Sequence, residues 1–218
     1  IVVADVDLLE SVVSECVAEK KAFVIVHSKA YTNLEESIAG IVNEARYIQG
    51  DPTSDDVLQK AQINSADRIL IATSDDTTNM YVLVTARSLN PKIVTVVRVN
   101  KKETEGKFKA VGADYVISTS TILGRLFLNA VMHPETYGFI TKLHTRTEDP
   151  FLEVVSVDPD FYGKSVRDNI PDAVAILRKG TYFYNLQTMK LEPDDRILCL
   201  RTIFTQKNTL SEVPQRDR

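Results

Sequence analysis

Tryptophan is absent from this chain, cysteine occurs twice and histidine three times in 218 residues. Cys16 and Cys199 are far apart and match no metal-ligand spacing. They read as reduced, packed thiols of a cytosolic protein rather than as a disulfide framework. His27, His133 and His144 stand in no nucleophile–base spacing. No Gly-x-Ser-x-Gly, His-Glu-x-x-His or Gly-x-x-x-x-Gly-Lys run occurs either, so the sequence gives no reason to expect an enzyme. No apolar run approaches the roughly 18 residues of a membrane span, and no secretory signal opens the chain. Lys and Arg number 26 against 30 Asp and Glu, for a net charge of −4, and no basic run interleaves with aromatics. A nucleic-acid partner is therefore not expected.

Glycine is also scarce, at eight residues, and it is missing where a nucleotide site would need it. The opening run Ile1-Val2-Val3-Ala4 feeds a helix through Asp5, Val6 and Asp7. A Gly-x-Gly-x-x-Gly turn there would let the backbone approach a pyrophosphate at the helix N-terminus. Two carboxylates stand in its place, and each would repel a nearby phosphate by about 1 to 4 kcal/mol, depending on screening. An acidic residue ending the second strand, which would bind a ribose, is replaced by His27.

What is present is regular. Strands are expected at 1–4, 22–27, 47–49, 68–72, 93–98 and 114–118, apolar without alternation, as strands buried on both faces are. Helices are expected at 8–18, 33–44, 54–61, 77–89, 101–111 and 119–132. Asn33 with Glu36 has capping-box spacing, Pro91 follows one helix end, and Gly112 stands where another needs a left-handed residue. Strands alternating with helical crossovers make an α/β fold, a Rossmann-like doubly wound parallel sheet. After His133-Pro134 the character changes. Segments 138–145 and 151–157 alternate apolar and polar, 163–169 reads as a short helix, and 173–178, 182–186 and 196–201 read as strands. A small α+β module follows the first domain. The expected divisions are 1–132, a crossover at 133–149, a second domain at 150–205 and a frayed tail from Gln206.

Several segments, taken in order, carry a family pattern. They are Gly50-Asp51-Pro52-Thr53, Ala66 to Met80, Val97-Arg98-Val99-Asn100, Gly112 to Ser118, Tyr162-Gly163-Lys164-Ser165-Val166 and Leu191 to Leu198. The chain resembles an RCK (regulator of K+ conductance) unit, a TrkA-N Rossmann domain followed by a TrkA-C domain. The resemblance implies a ligand-sensing regulator on the cytoplasmic side of the membrane, controlling a potassium channel. It implies homodimers, formed largely through about residues 122–142, that assemble into an octameric ring. A fused or bound pore would be the partner, with pore helices and linker preceding Ile1; the absence of an initiator Met fits that expectation. Alternatives are a peripheral subunit of a Trk/Ktr-type potassium transporter and a ligand-free scaffold.

In an open parallel sheet the loops after the strands share one edge, where ligands bind. Ala4, His27, Ala72 and Arg98 would line that crevice. Asp5, Asp7, Asp51, Asp75 and Asp76 follow strands on the same edge and have the oxygen ligands that a divalent cation such as Ca2+ accepts. Each reads first as a helix-start carboxylate satisfying free N–H groups, a role in which Asp51 and Asp75 are well placed, with the cation site as the alternative. In calcium-gated members of the resembled family the carboxylates match Ala72, Arg98 and Asn100, so that particular site is not expected here. Arg98 is expected to pair with Asp5 or Asp7. NAD or ATP is less expected than a cation or a neutral ligand, given the missing glycines. A second acidic group, Glu148, Asp149, Asp158, Asp160 and Asp172, reads as loop solvation or as a ligand site of the second module.

Overall fold

The computed structural model describes residues 1–29, 46–143 and 150–201. The helix expected at 33–44, His144, Glu148, Asp149 and the tail lie outside the described residues. The fold has two compact units, Ile1–Arg125 and Leu126–Arg218.

The first unit is built on a six-stranded sheet with β1 Val2–Ala4, β2 Val24–His27, β3 Arg46–Gln49, β4 Arg68–Ala72, β5 Val94–Val99 and β6 Tyr115–Ser118. The order is β3-β2-β1-β4-β5-β6, and every pairing is parallel. The chain winds outward from β1 in both directions, so the connections on either side of β1 and β4 diverge and leave a switch point there. The helices are α1 Val6–Ala18, α2 Asp55–Lys60, α3 Asp76–Leu89 and α4 Glu105–Ala110, and α5 Thr119–Met132 follows β6.

Alternation along the strands divides the core. Val3, Val26, Ile69, Ile71, Val97 and Val99 face Leu58 of α2, Val82, Leu83 and Ala86 of α3 and Phe108 of α4. Val2, Ala4, Ile25 and Ala72 face Leu9 and Val13 of α1. At its N-terminal end the sheet is tied by Arg87, which donates to the Pro91, Ile93 and Gly112 carbonyls and to Asp114 Oδ2 at 2.6 Å. Asp114 also accepts from Thr95 N, joining α3, β5 and the entry to β6. Gly112 takes the left-handed conformation after α4 (φ +96), as its position predicts.

In the second unit, α6 Pro134–Leu143 precedes an antiparallel sheet of β7 Phe151–Ser156, β8 Ala173–Arg178, β9 Thr181–Phe183 and β10 Arg196–Arg201, in the order β7-β10-β8-β9. The short helix α7 Val166–Asn169 closes one face, where Val166, Ile170, Ile176, Leu191, Ile197 and Cys199 are buried together. Burial pushes the Cys199 thiol up to about 11, which makes it a packing residue and not a nucleophile. Arg178 holds Asp195 through two hydrogen bonds of 2.8 Å and reaches Glu192 Oε1 at 2.6 Å.

The strand-like alternation read at 138–145 is corrected over its described part, 138–143. Residues 134–143 form α6, with Pro134 at its first position, where a missing N–H costs nothing. The helix restarts after one residue: His133 N donates to Asn129 O, closing α5, while its carbonyl accepts from Thr136 and Tyr137.

Candidate functional site

The C-terminal edge of the parallel sheet is held by side chains that bind backbone groups of neighbouring loops. Asp5 follows β1 in an extended conformation at the start of α1 but does not cap that helix. Its Oδ2 accepts from Ser74 N at 2.6 Å, tying the loop after β1 to the loop after β4. Asp75 caps α3, accepting from Thr77 N, Thr78 N and the Thr78 hydroxyl. Those Thr78 and Thr77 donors hold its carboxyl below the usual range. Asp76 reaches the loop after β5, accepting from Asn100 N at 2.8 Å, Asn100 Nδ2 at 2.9 Å, Lys101 N at 3.1 Å and the Thr104 hydroxyl at 2.8 Å. Burial opposes its charge, and these donors outweigh burial and lower its pKa. Asp51 closes its own turn, accepting from Thr53 N and Oγ1, which lowers its pKa.

Asn79 lies beneath this edge, fully buried on α3. Its Oδ1 accepts from Thr73 N and Oγ1, and its Nδ2 donates to the Thr73 and Arg98 carbonyls at 2.9 and 3.1 Å. The loops after β1, β4 and β5 are thus linked by Asp5, Asn79 and Asp76.

His27 ends β2 with Nδ1 accepting from Lys29 N at 2.9 Å. That bond places the ring proton on Nε2 in the neutral form. Burial, reinforced by the Lys29 charge and opposed by Asp5, lowers its pKa below the ordinary 6.5.

The expected crevice residues are not equally accessible. The register pairs Ala4 with Ala72. Both are almost wholly buried, in one cluster with Leu9 and Val13 of α1, so neither offers a floor to a ligand. The expected ion pair of Arg98 with Asp5 or Asp7 is also corrected. Asp5 is engaged by Ser74, Asp7 is exposed in the first turn of α1, and Arg98 Nε is buried without a hydrogen-bond partner. Among the described residues no three His, Cys, Asp or Glu side chains come together to hold a metal ion. The carboxylates expected as cation ligands instead satisfy N–H groups of turns and helix starts, apart from exposed Asp7. In the second unit Asp158 caps a 310 turn, accepting from Asp160 N, and Asp172 lies 3.0 Å from Arg201 Nη1.

The TrkA-N domain model matches residues 8–119, from the first turn of α1 through β6. The chain belongs to the TrkA-N domain family. It is 28% identical over 142 residues to a probable potassium channel protein 2 of Methanocaldococcus jannaschii, covering 62% of this chain and 41% of that protein. It is 29% identical over 167 residues to a Trk system potassium uptake protein TrkA homolog of Methanothermobacter thermautotrophicus, covering 74% of this chain and 76% of that one. The chain therefore spans less than half the length of this channel relative. Among solved structures, the human SLO3 gating ring superposes with a TM-score of 0.69 at 12% identity, covering 92% of this chain and 43% of that one. The GsuK RCK domain superposes with a TM-score of 0.54 at 20% identity, covering 94% of this chain and 44% of that one. These two likenesses establish a shared fold across both units.

Within the TrkA-N unit, sequence reasoning missed Asn79 as the central tie. The signal was available: Asn79 falls on the same helical face as Val82, Leu83 and Ala86, a polar residue in an apolar stripe. Arg98 carries a similar signal, as the one charged residue inside β5.

Proposed function

We propose that the chain is a cytoplasmic RCK-type regulatory unit of a potassium channel, acting by ligand-dependent association rather than by catalysis. The observation that carries this reading is the pairing of a TrkA-N domain with an α+β module in a chain related to potassium channel proteins. The second unit takes the part of the TrkA-C domain. Two apolar surfaces support ring assembly. On α5 and α6, Ile122, Leu123, Phe127, Leu128, Val131, Met132 and Phe139 are exposed, and no residue of either helix is buried. On α3, Tyr81 and Val84 are exposed, beside a hollow of about 350 Å3 lined by Met80, Thr104 and Phe108. One surface closes a dimer, and a second, separate one is what joining four dimers into a ring of eight requires. A fused or bound pore is the partner in this reading.

One observation favours a second reading, a peripheral subunit of a potassium transporter: the match to the TrkA homolog covers three quarters of both proteins, whereas the channel match covers 41% of the channel.

Light scattering across protein concentration, with thermal unfolding in Ca2+, Mg2+, NAD(H), ATP and ADP against EDTA, tests the proposal. A dimer that grows into larger rings, and a ligand that moves the unfolding midpoint, are expected. A chain that stays monomeric at high concentration and responds to nothing overturns it.

A further inference from the structure

A hollow of about 360 Å3 opens in the second unit, where β7 ends and β10 begins. Small-molecule sites run from about 300 to 1,000 Å3. Ser156 and Val157 line it from the end of β7, Tyr162 from the loop that follows, and Asp194, Asp195 and Arg196 from the turn into β10. Asp195 is buried and already engaged, accepting from Arg178 Nε and Nη2 at 2.8 Å and from Glu192 N at 2.9 Å. Asp194 and Arg196 are exposed, and among the described residues no ion pair engages either of them. They do not pair with each other, although residues two apart lie within about 7 Å along the chain. The charge at 194 is not a requirement of its turn. Asp195 N donates to Glu192 O at 3.3 Å, with Pro193 second in the turn and Asp194 third, left-handed at φ +67. Gly or Asn serves that third position at least as well.

We infer that this hollow binds an amino acid, a small zwitterion whose ammonium lies at Asp194 and whose carboxylate lies at Arg196. The planar guanidinium takes a carboxylate through two parallel N–H bonds, and the Asp194 carboxylate accepts from the ammonium. Ser156 is level with Arg196 across β7 and β10, and its hydroxyl is a further donor for the ligand's carboxylate. Val157 and the Tyr162 ring, 40% exposed, give the carbon chain between the two charges an apolar contact. With Asp195 held by Arg178, the two free charges of the lining are one of each sign. A plain anion or a plain cation matches one and leaves the other without a partner, whereas a zwitterion matches both. As a binding site the hollow belongs wholly to the second unit; as an input to a gate it rests on the regulatory reading above.

The test is calorimetric titration of the full chain with glycine, 4-aminobutyrate and 6-aminohexanoate, against butyrate and butylamine, which each keep one charged end. It is repeated on Asp194→Asn, Arg196→Gln and the exposed control Arg167→Gln. Asparagine accepts a left-handed backbone, so D194N removes the charge and keeps the turn. At least one zwitterion is expected to bind more tightly than butyrate and butylamine. D194N and R196Q are each expected to weaken it by about tenfold, and R167Q to leave it unchanged. Butyrate or butylamine binding as tightly as every zwitterion overturns the site. So does affinity that survives both D194N and R196Q in folded protein, or no binding of any zwitterion at millimolar concentration. Light scattering with and without the bound zwitterion keeps the two readings apart: binding that leaves association unchanged upholds the site and counts against the regulatory reading.

Discussion

Asn79 satisfies two donors and two acceptors with no access to water. Asn79→Asp keeps its shape but removes both N–H groups, turning a carboxylate towards the Thr73 and Arg98 carbonyls. It is expected to lower stability by about 3 kcal/mol, read as a fall in the urea midpoint at unchanged slope. Titration adds a second expectation. Asp76, Asp114 and Asp195 have folded pKa values below the ordinary 3.8, so their stabilising contribution is complete above pH 4 and is lost as pH falls through the folded values. For each, burial resists the charge and hydrogen-bond donors overcome it, with Arg87 helping Asp114 and Arg178 helping Asp195. His27 acts in the same direction at higher pH: its folded pKa is below 6.5, so the unfolded chain binds its proton first and stability falls as pH drops below 6.5. Unfolding midpoints should show a shallow decline below pH 6.5, absent in His27→Gln, and a steep one below pH 4. The acids on the sheet edge were legible as residues, but their partners were not. Asp5 and Asp76 bind backbone N–H groups, which every residue except proline has and no residue letter marks.

At the scale of elements, legibility followed burial. Strands flanked by helices read as apolar runs, and β4 Arg68–Ala72 and α5 Thr119–Met132 stand where their residues predict. The segment 138–145 misled because four or five alternating residues fit a strand as well as part of a helix, and Pro134, where the sequence changes character, also starts the next helix. Alternation at an exposed element reports no core. The same exposure supplies the test of association. Phe127 is 67% and Val131 78% exposed on one side of α5, four residues apart and hence one above the other. Among the described residues nothing buries this apolar stripe, and the proposed assembly uses it as a docking surface. Phe127→Glu and Val131→Glu together are expected to weaken dimerisation by at least about a hundredfold. Sedimentation velocity would read this as a shift to monomer, while circular dichroism and the unfolding midpoint stay near those of the parent.

For the whole molecule, regulation requires that ligand binding in one unit be felt elsewhere. Shifting a gate from 1:99 to 99:1 takes about 5.5 kcal/mol of differential binding, more than one weak site supplies but within reach of a ring with several. Such summation works only if each subunit passes on the change as a body with its own core. The two units meet that condition: one core gathers around Val3, Ile71 and Phe108, with α1 closing the opposite sheet face, and another around Ile176 and Ile197. Calorimetric unfolding should therefore resolve two transitions. Ile25→Ala, at a fully buried position of β2, should lower the first alone; Ile176→Ala, equally buried in β8, should lower the second alone, each by about 2 to 5 kcal/mol. If both substitutions move a single common transition, the units fold as one, and a ligand bound in the TrkA-N unit would reach the second through shared packing. If they move separate transitions, coupling has to run through α5, α6 and the contacts these helices make between copies. A ligand would then act by changing how subunits associate, and the α5 substitutions would abolish the response to ligand along with the dimer.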